Sequence, residues 1–283
     1  MISIITPVYN GKRFIEYCIK NVIDQKCPDM EHIIVDGGST DSTVEIIQRY
    51  AERYWHIRWV SEKDKGQSDA MNKGIRLAEG NIIGILNADD YYEPNVLSRI
   101  ESTFHKLSEP SFITGNCNIW NELNSSITIN KPRNLSLDDL LKGPMIHPFP
   151  ANPSAYFYHK SLHDIVGYYD TDDHYTMDLD FILRAVQVAH TYYFDEIWGN
   201  FRLFEDTKTY RNIKSGGSYL SKKRTFMKYI KNNSFRDKLL FNLRYYYQNI
   251  MFPWVSYNYQ KLIRVILNPK KLISYVYSKF RSR

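Results

Sequence analysis

The residues best suited to chemistry lie in the turn Leu86-Asn87-Ala88-Asp89-Asp90, directly after the apolar run Asn81-Ile82-Ile83-Gly84-Ile85. Two adjacent carboxylates at the end of a buried strand are costly to desolvate unless a positive group lies against them. A hard divalent cation carrying a phosphorylated ligand meets that need, because such ions take oxygens from one or two carboxylates plus substrate phosphates. Other acids occupy similar turns: Asp36 in Val35-Asp36-Gly37-Gly38-Ser39, Asp64 in Ser61-Glu62-Lys63-Asp64, and Asp178 and Asp180 in Met177-Asp178-Leu179-Asp180. Each also has a plain structural reading. Asp36 can open an Asx-turn, and Asp90 can cap the following helix. Asp178 and Asp180 can both be first-turn acids favoured by a helix dipole, with Asp180 spaced i,i+4 from Arg184.

The elements that must position these acids follow from periodicity. Residues 3–9, 32–36, 57–61 and 81–86 read as short buried strands, and 12–25, 43–50 and 68–77 as helices. Strands alternating with helices predict an α/β fold, a doubly wound, mostly parallel sheet with helices on both faces. Ligands of such sheets bind outside the carboxyl ends of the strands. The loops Thr6-Pro7-Val8-Tyr9-Asn10, Asp36-Gly37-Gly38 and Asn87-Ala88-Asp89-Asp90 should therefore open onto one rim. The first strand is not followed by Gly-x-Gly-x-x-Gly, and Gly-x-x-x-x-Gly-Lys-Ser/Thr is absent, so the dinucleotide-binding and P-loop readings lack their phosphate cradle. Further on, Ile113–Trp120 alternates like a half-buried strand, residues 144–150 form a proline-rich loop, and a helix begins near Tyr175.

Hydrophobic residues make up 43 % of the 283, enough for a sizeable core. The net charge of +6 conceals two opposite halves. Residues 1–206 carry 19 Lys and Arg against 30 Asp and Glu, a balance of −11; residues 207–283 carry 18 against the single Asp237, a balance of +17. A boundary is expected within 205–218. Three cysteines, Cys18, Cys27 and Cys117, have no metal-ligand spacing and point to a reducing compartment. The first residues lack the basic and apolar regions of a signal peptide, and no run reaches the ~18 apolar residues of a spanning helix. A cytoplasmic protein is expected.

Taken in order, Thr6–Asn10, Val35–Thr43, Ser61–Gly74, Leu86–Asp90 and Met177–Asp180 resemble the motifs of inverting family 2 glycosyltransferases with a GT-A fold, of the bacterial polysaccharide or lipid-linked glycan type. The resemblance covers residues 1–206. It implies a nucleotide-sugar half at about 1–110, an acceptor half at about 111–206, and transfer of a hexosyl or N-acetylhexosaminyl group from a nucleotide-diphosphate sugar, by default a UDP-sugar. It places Pro7 and Tyr9 beside the nucleotide base, Asp36 as an acceptor from the base, Asp64 at the base or ribose, and Asp89 on Mn²⁺ or Mg²⁺, with Asp90 as a second ligand. Asp178 matches the general base; Arg202 and His147 are candidates for phosphate or acceptor contact. Three positions depart from the pattern: Asn87 replaces the first acid of the metal motif, Met177 a common Glu, and Phe204 a frequent His. Asn87 and Met177 keep a non-catalytic, nucleotide-sugar-binding scaffold as the alternative. Arg202 also has a plain partner in Glu205 or Asp206.

The basic tail, residues 207–283, reads as a helical extension. Phe226, Tyr229 and Ile230 follow Lys222-Lys223-Arg224. Tyr245-Tyr246-Tyr247 and Phe252-Pro253-Trp254 come next, and then the stripe Leu272, Ile273, Val276, Tyr277, Phe280. Basic faces with aromatics suit an anionic cytoplasmic leaflet, each cation contributing ~1 kcal/mol. The order of preference is membrane surface, then packing on the acidic body, then single-stranded nucleic acid; no nucleic-acid partner is expected. The implied partners are the sugar donor, a glycan or lipid-linked acceptor, and the inner face of the cell membrane.

Overall fold

The computed structural model describes residues 1–121, 126–143, 146–204, 207, 209–211, 217–231 and 235–246. Its centre is β1 (Ile2–Val8), buried along its whole length. The parallel neighbours of β1 are β2 (Met30–Asp36) and β4 (Ile82–Ile85), and β3 (Ile57–Ser61) lies parallel beyond β2. Strands covered on both faces read as nearly continuous apolar runs, which is why β1, β2 and β4 were legible. Their register sets Val8 beside Asp36 and Asp36 beside Ser61. The expected common rim is thereby formed.

Helices cover both faces, as expected. Val8 packs with Ile15 and Ile19 of α1 (Ile15–Ile23) and Ile47 of α2 (Thr43–Ala51). On the opposite face α3 (Gln67–Leu77) lies close to β1 because Gly74 has no Cβ; one would stand 2.3 Å from Ile5 Cγ2. Ile100 and Phe104 of α4 (Val96–Phe104) join Ile2, Ile4 and Trp198 in a second cluster.

Beyond β4 the parallel order gives way to a mixed one. After β5 (Tyr91–Tyr92), β6 (Ser111–Trp120) and β7 (Ser126–Asn130), the short β8 (Tyr156–His159) inserts antiparallel between β4 and β6. β9 (His190–Arg202) runs parallel to β6, giving the order β3-β2-β1-β4-β8-β6-β9-β5 with β7 on β6. Ser111–Cys117 is buried rather than half-buried, because β8 and β9 flank it and helices cover it.

Between these strands lie α5 (Leu137–Leu140), a 3₁₀ turn at Pro153–Ala155, α6 (Leu162–Val166) and α7 (Met177–Ala185). Two helices follow, α8 (Gly217–Ile230) and α9 (Phe235–Tyr246). Contacts divide the chain into two compact units, Met1–Lys228 and Tyr229–Arg283. Within the first, α8 is anchored on α7: the hydroxyls of Thr176 and Thr225 lie 2.6 Å apart in a buried hydrogen bond, and Lys228 Nζ reaches Asp180 at 3.2 Å. The expected Asp180–Arg184 pair is present at 3.0 Å. In the second, Phe241 stacks on Tyr245. No helix of the described residues is long and apolar enough to cross a membrane. Tyr247, Phe252-Pro253-Trp254 and the 272–280 stripe lie outside the described residues.

Candidate active site

The first rim loop is held by the second. Asn10 Oδ1 accepts from the Thr40 backbone N–H at 2.9 Å, the Asn10 N–H donates to Ser39 Oγ at 2.7 Å, and Gly11 N–H donates to Thr43 Oγ1 at 2.9 Å. Asp36 is the anchor of this lattice. Its carboxylate accepts from the backbone N–H of Gly38 (3.0 Å) and Ser39 (2.9 Å), from Ser61 Oγ (2.6 Å) and from Ser39 Oγ. It is fully buried. The Asp36 carboxylate, expected at a nucleotide base, is held by four donors from within the protein, which tie it to the Gly38-Ser39 loop and to β3. Tyr9 is exposed and Pro7 is buried in β1, and both line two adjoining clefts of about 300 and 600 Å³. Asp64 lines the larger one, its Oδ1 held by the Gly66 N–H at 2.8 Å.

The acidic turn splits into two roles. Asp89 is half-buried and lines the 300 Å³ cleft; burial raises its carboxyl above the ordinary value, with Arg202 pulling the other way. Asp90 is fully buried. Its Oδ2 accepts from Asn152 Nδ2 (2.7 Å) and Asn87 Nδ2 (3.0 Å), its Oδ1 from the Arg202 N–H (3.1 Å). Burial, then the Asp89 charge, push the Asp90 carboxyl well up against the pull of those donors. Asp90, expected as a second metal ligand, has both oxygens engaged by these donors. Asn87, whose Oδ1 accepts from Gln67 Nε2 at 2.8 Å, is a spacer between α3 and Asp90.

Asp178 stands in the first turn of α7, half-buried, accepting from Tyr156 Oη at 3.3 Å. It lines a third cleft, of about 150 Å³, which shares Gln67, Asn87, Phe201 and Thr209 with the Asp89 cleft. The neighbouring Met177 points into the core, where Ser68 Oγ donates to its sulfur at 3.0 Å. The Arg202 guanidinium is clamped between Tyr17 and Tyr91, 4.6 and 4.7 Å from the ring centroids; Glu205 and Asp206 lie outside the described residues. His147 is not brought to the site. It contacts Asn134 (3.0 Å) and Asp139 (3.5 Å), because the loop carrying it folds back on α5. Phe204 stacks on Phe14 at 5.4 Å in the wall of the Asp89 cleft.

A divalent cation fits this arrangement at one protein ligand. Asp89 is a partly desolvated acid in an open cleft, and a hard cation accepts one carboxylate when phosphate oxygens complete its shell. Among the described residues no group of three or more His, Cys, Asp or Glu is gathered for a metal.

The model of the family described as glycosyl transferase family 2 matches residues 3–141. A PGL/p-HBAD biosynthesis glycosyltransferase of Mycobacterium bovis is 33 % identical over 188 residues, which is 65 % of this chain and 69 % of that one. The chain belongs to glycosyl transferase family 2. Chondroitin synthase of Escherichia coli is 37 % identical over 125 residues, 44 % of this chain; the match spans only 18 % of that longer protein. Among solved structures, S. aureus TarS 1-349 in complex with UDP-GlcNAc superposes with a TM-score of 0.64 at 15 % identity, covering 87 % of this chain and 72 % of that one. The mannosyltransferase PcManGT of Pyrobaculum calidifontis, in complex with GDP-Man and Mn²⁺, gives 0.60 at 18 % identity, covering 87 % and 69 %. The GT-A fold expected from the motifs is thus established.

Sequence reasoning missed Gln67, which borders all three clefts, and Asn152 as the buried partner of Asp90. The first had a signal, since Gln67 opens a helix at the rim. Asn152 had none, because the Asp90–Asn152 pairing spans 62 positions.

Proposed function

We propose that this family 2 chain transfers a glycosyl group, with inversion, from a nucleoside-diphosphate sugar to a hydroxyl of a glycan or lipid-linked acceptor. The observation that carries the reading is that Asp89 and Asp178 border adjoining clefts with four residues in common. A donor whose diphosphate lies at Asp89 would present its anomeric carbon toward the Asp178 cleft. Pro7, Tyr9 and Asp64 bound the other side, where the nucleoside would lie; UDP is the first choice, as TarS binds UDP-GlcNAc. Asp89 would hold Mn²⁺ or Mg²⁺, and the ion would neutralise charge on the departing diphosphate. Asp178 would accept the proton of the attacking hydroxyl, oriented by Tyr156 Oη. The family body would end near residue 206, and the basic extension that follows would first send α8 back onto α7. That extension would meet an anionic leaflet, since α9 exposes Leu239, Leu240, Leu243 and Tyr246 beside Lys238 and Arg244.

The test is nucleotide release with Mn²⁺ across common sugar nucleotides, for wild type and Asp178→Asn. A drop of about 10²–10⁴ in turnover, with donor affinity retained, is expected. Release by the variant at the wild-type rate would remove Asp178 from the mechanism. Donor binding by wild type without turnover on any acceptor would favour a scaffold.

A further inference from the structure

The cleft that holds Asp178 receives a cation from well outside the matched family segment. Lys222, on α8, lines it together with Phe149, Asn152, His174 and Asp178. Its Nζ lies 5.2 Å from the Phe149 ring centroid, in cation–π range. Its placement is built rather than accidental, because α8 is fixed to α7, the helix of Asp178, by the buried Thr176–Thr225 hydrogen bond and by Lys228 on Asp180. Both contacts lie one to two helical turns past Lys222 on the same helix.

Lys222 is half-buried and forms no ion pair among the described residues. Burial lowers its ammonium from the ordinary lysine value, and no anion offsets this. A partly desolvated cation without a partner is costly, and the cost is recovered when an anion enters. Lys222 borders the Asp178 cleft and not the Asp89 cleft, so the anion it awaits enters from the acceptor side.

We propose that Lys222 is an acceptor-recognition residue, selecting acceptors that carry a phosphate or carboxylate close to the reacting hydroxyl. This rests on the reading of the Asp178 cleft as the acceptor site. The anion lies over Phe149 at the Lys222 ammonium, and the neutral part of the acceptor reaches Asp178. The charge serves binding; no bond is made or broken at Lys222.

The test measures binding without turnover, so it stands or falls separately from the Asp178 base. Full-length protein is titrated with octyl phosphate, octyl glucuronide and octyl glucoside, and the same titrations are run on Lys222→Met and Lys222→Arg. Lys222→Met keeps the aliphatic stem on Phe149, and thermal unfolding checks its fold. Wild type should bind at least one anionic ligand about 10-fold tighter than octyl glucoside, the effect of one charge-assisted contact. Lys222→Met should abolish that preference and Lys222→Arg should retain most of it. Preference for the phosphate alone or the glucuronide alone identifies which anion is selected. Equal binding of charged and neutral ligands by wild type would overturn the proposal. So would an unchanged preference in Lys222→Met, or a loss in that variant confined to UDP with Mn²⁺.

Discussion

The two neighbouring acids of the rim turn make opposite predictions, and a pair of near-isosteric substitutions separates them. Asp90 is fully buried, with one oxygen facing the Arg202 N–H and the other facing the amides of Asn87 and Asn152. In Asp90→Asn at least one of these donors meets an NH₂ group in place of an acceptor. An unsatisfied buried donor costs about 1–3 kcal/mol, and removing the charge beside Asp89 returns part of it. A net loss of about 2 kcal/mol lowers the melting temperature by roughly 4–8 °C for a body of this size. Asp90→Ala strands all three donors and should lose about 3–6 kcal/mol, a large part of the ~5–15 kcal/mol that holds a typical domain folded. Asp89 faces the cleft, so Asp89→Asn should leave the melting temperature within about 2 °C of wild type, a surface-like effect. That variant should lose the Mn²⁺-dependent part of UDP binding. The assay is thermal unfolding with and without Mn²⁺ and UDP, paired with calorimetric titration of UDP. If Asp90→Asn melts like wild type yet loses Mn²⁺-dependent binding, Asp90 is a ligand and the division of labour argued from hydrogen bonds is refuted.

Other perturbations follow from the same geometry. A Cβ at Gly37 would stand 2.5 Å from Asp64 Oδ2. The end of a side chain can swing away, so Gly37→Ala should weaken UDP binding several-fold while costing no more than about 1 kcal/mol of stability; unaltered UDP affinity would remove Asp64 from the donor site. Tyr156→Phe removes a donor to Asp178 and should lower kcat with donor affinity unchanged; an unchanged kcat would make that contact purely structural. His32 is fully buried against Thr6, and burial lowers its pKa to about 3. A folded value below the ordinary ~6.5 means stability is whole above that pH and falls as the unfolded chain takes up a proton that the fold excludes. His32 should therefore contribute about 2 kcal/mol less stability at pH 5 than at pH 7, and His163, lowered by burial to about 4, a loss of the same sign, so in urea unfolding the stability of His32→Gln should fall about 2 kcal/mol less than that of wild type over that range. An equal fall in the two would show that His32 takes up its proton in the fold.

How much of this was legible depended on whether a signal was local. The strands β1, β2 and β4 announced themselves as apolar runs, because helices bury both of their faces, and the edge strand β3 by its β-branched and aromatic residues. β8 is four residues, Tyr156-Phe157-Tyr158-His159, too short to show a period, and its place between β4 and β6 depends on partners some 40 to 75 positions away. β9 carries Asp195 and Glu196 in mid-strand, which reads as a loop until Asn116 and Lys131 are seen to pair with Asp195. His147 shows the same limit in a loop, since sequence does not say which side of the rim it folds toward.

The acids of the site make the point more sharply. Asp36, Asp89, Asp90 and Asp178 are one residue type, all placed just past a strand or at a helix start, and spacing ranks them alike. Tertiary register does not. Ser61 joins the local donors of Gly38 and Ser39 on Asp36, and Asn152 and Arg202 return to join Asn87 on Asp90. Asp89 and Asp178 remain partly exposed at the wall of a cleft, Asp178 with Tyr156 Oη as a donor. An acid already satisfied by buried donors would have to break those bonds before gripping a ligand, at about 1–3 kcal/mol for each donor stranded. Two carboxylates of the rim thus hold its loops, Asp36 through the nearby Gly38 and Ser39 together with the distant Ser61, and Asp90 through the nearby Asn87 together with the distant Asn152 and Arg202.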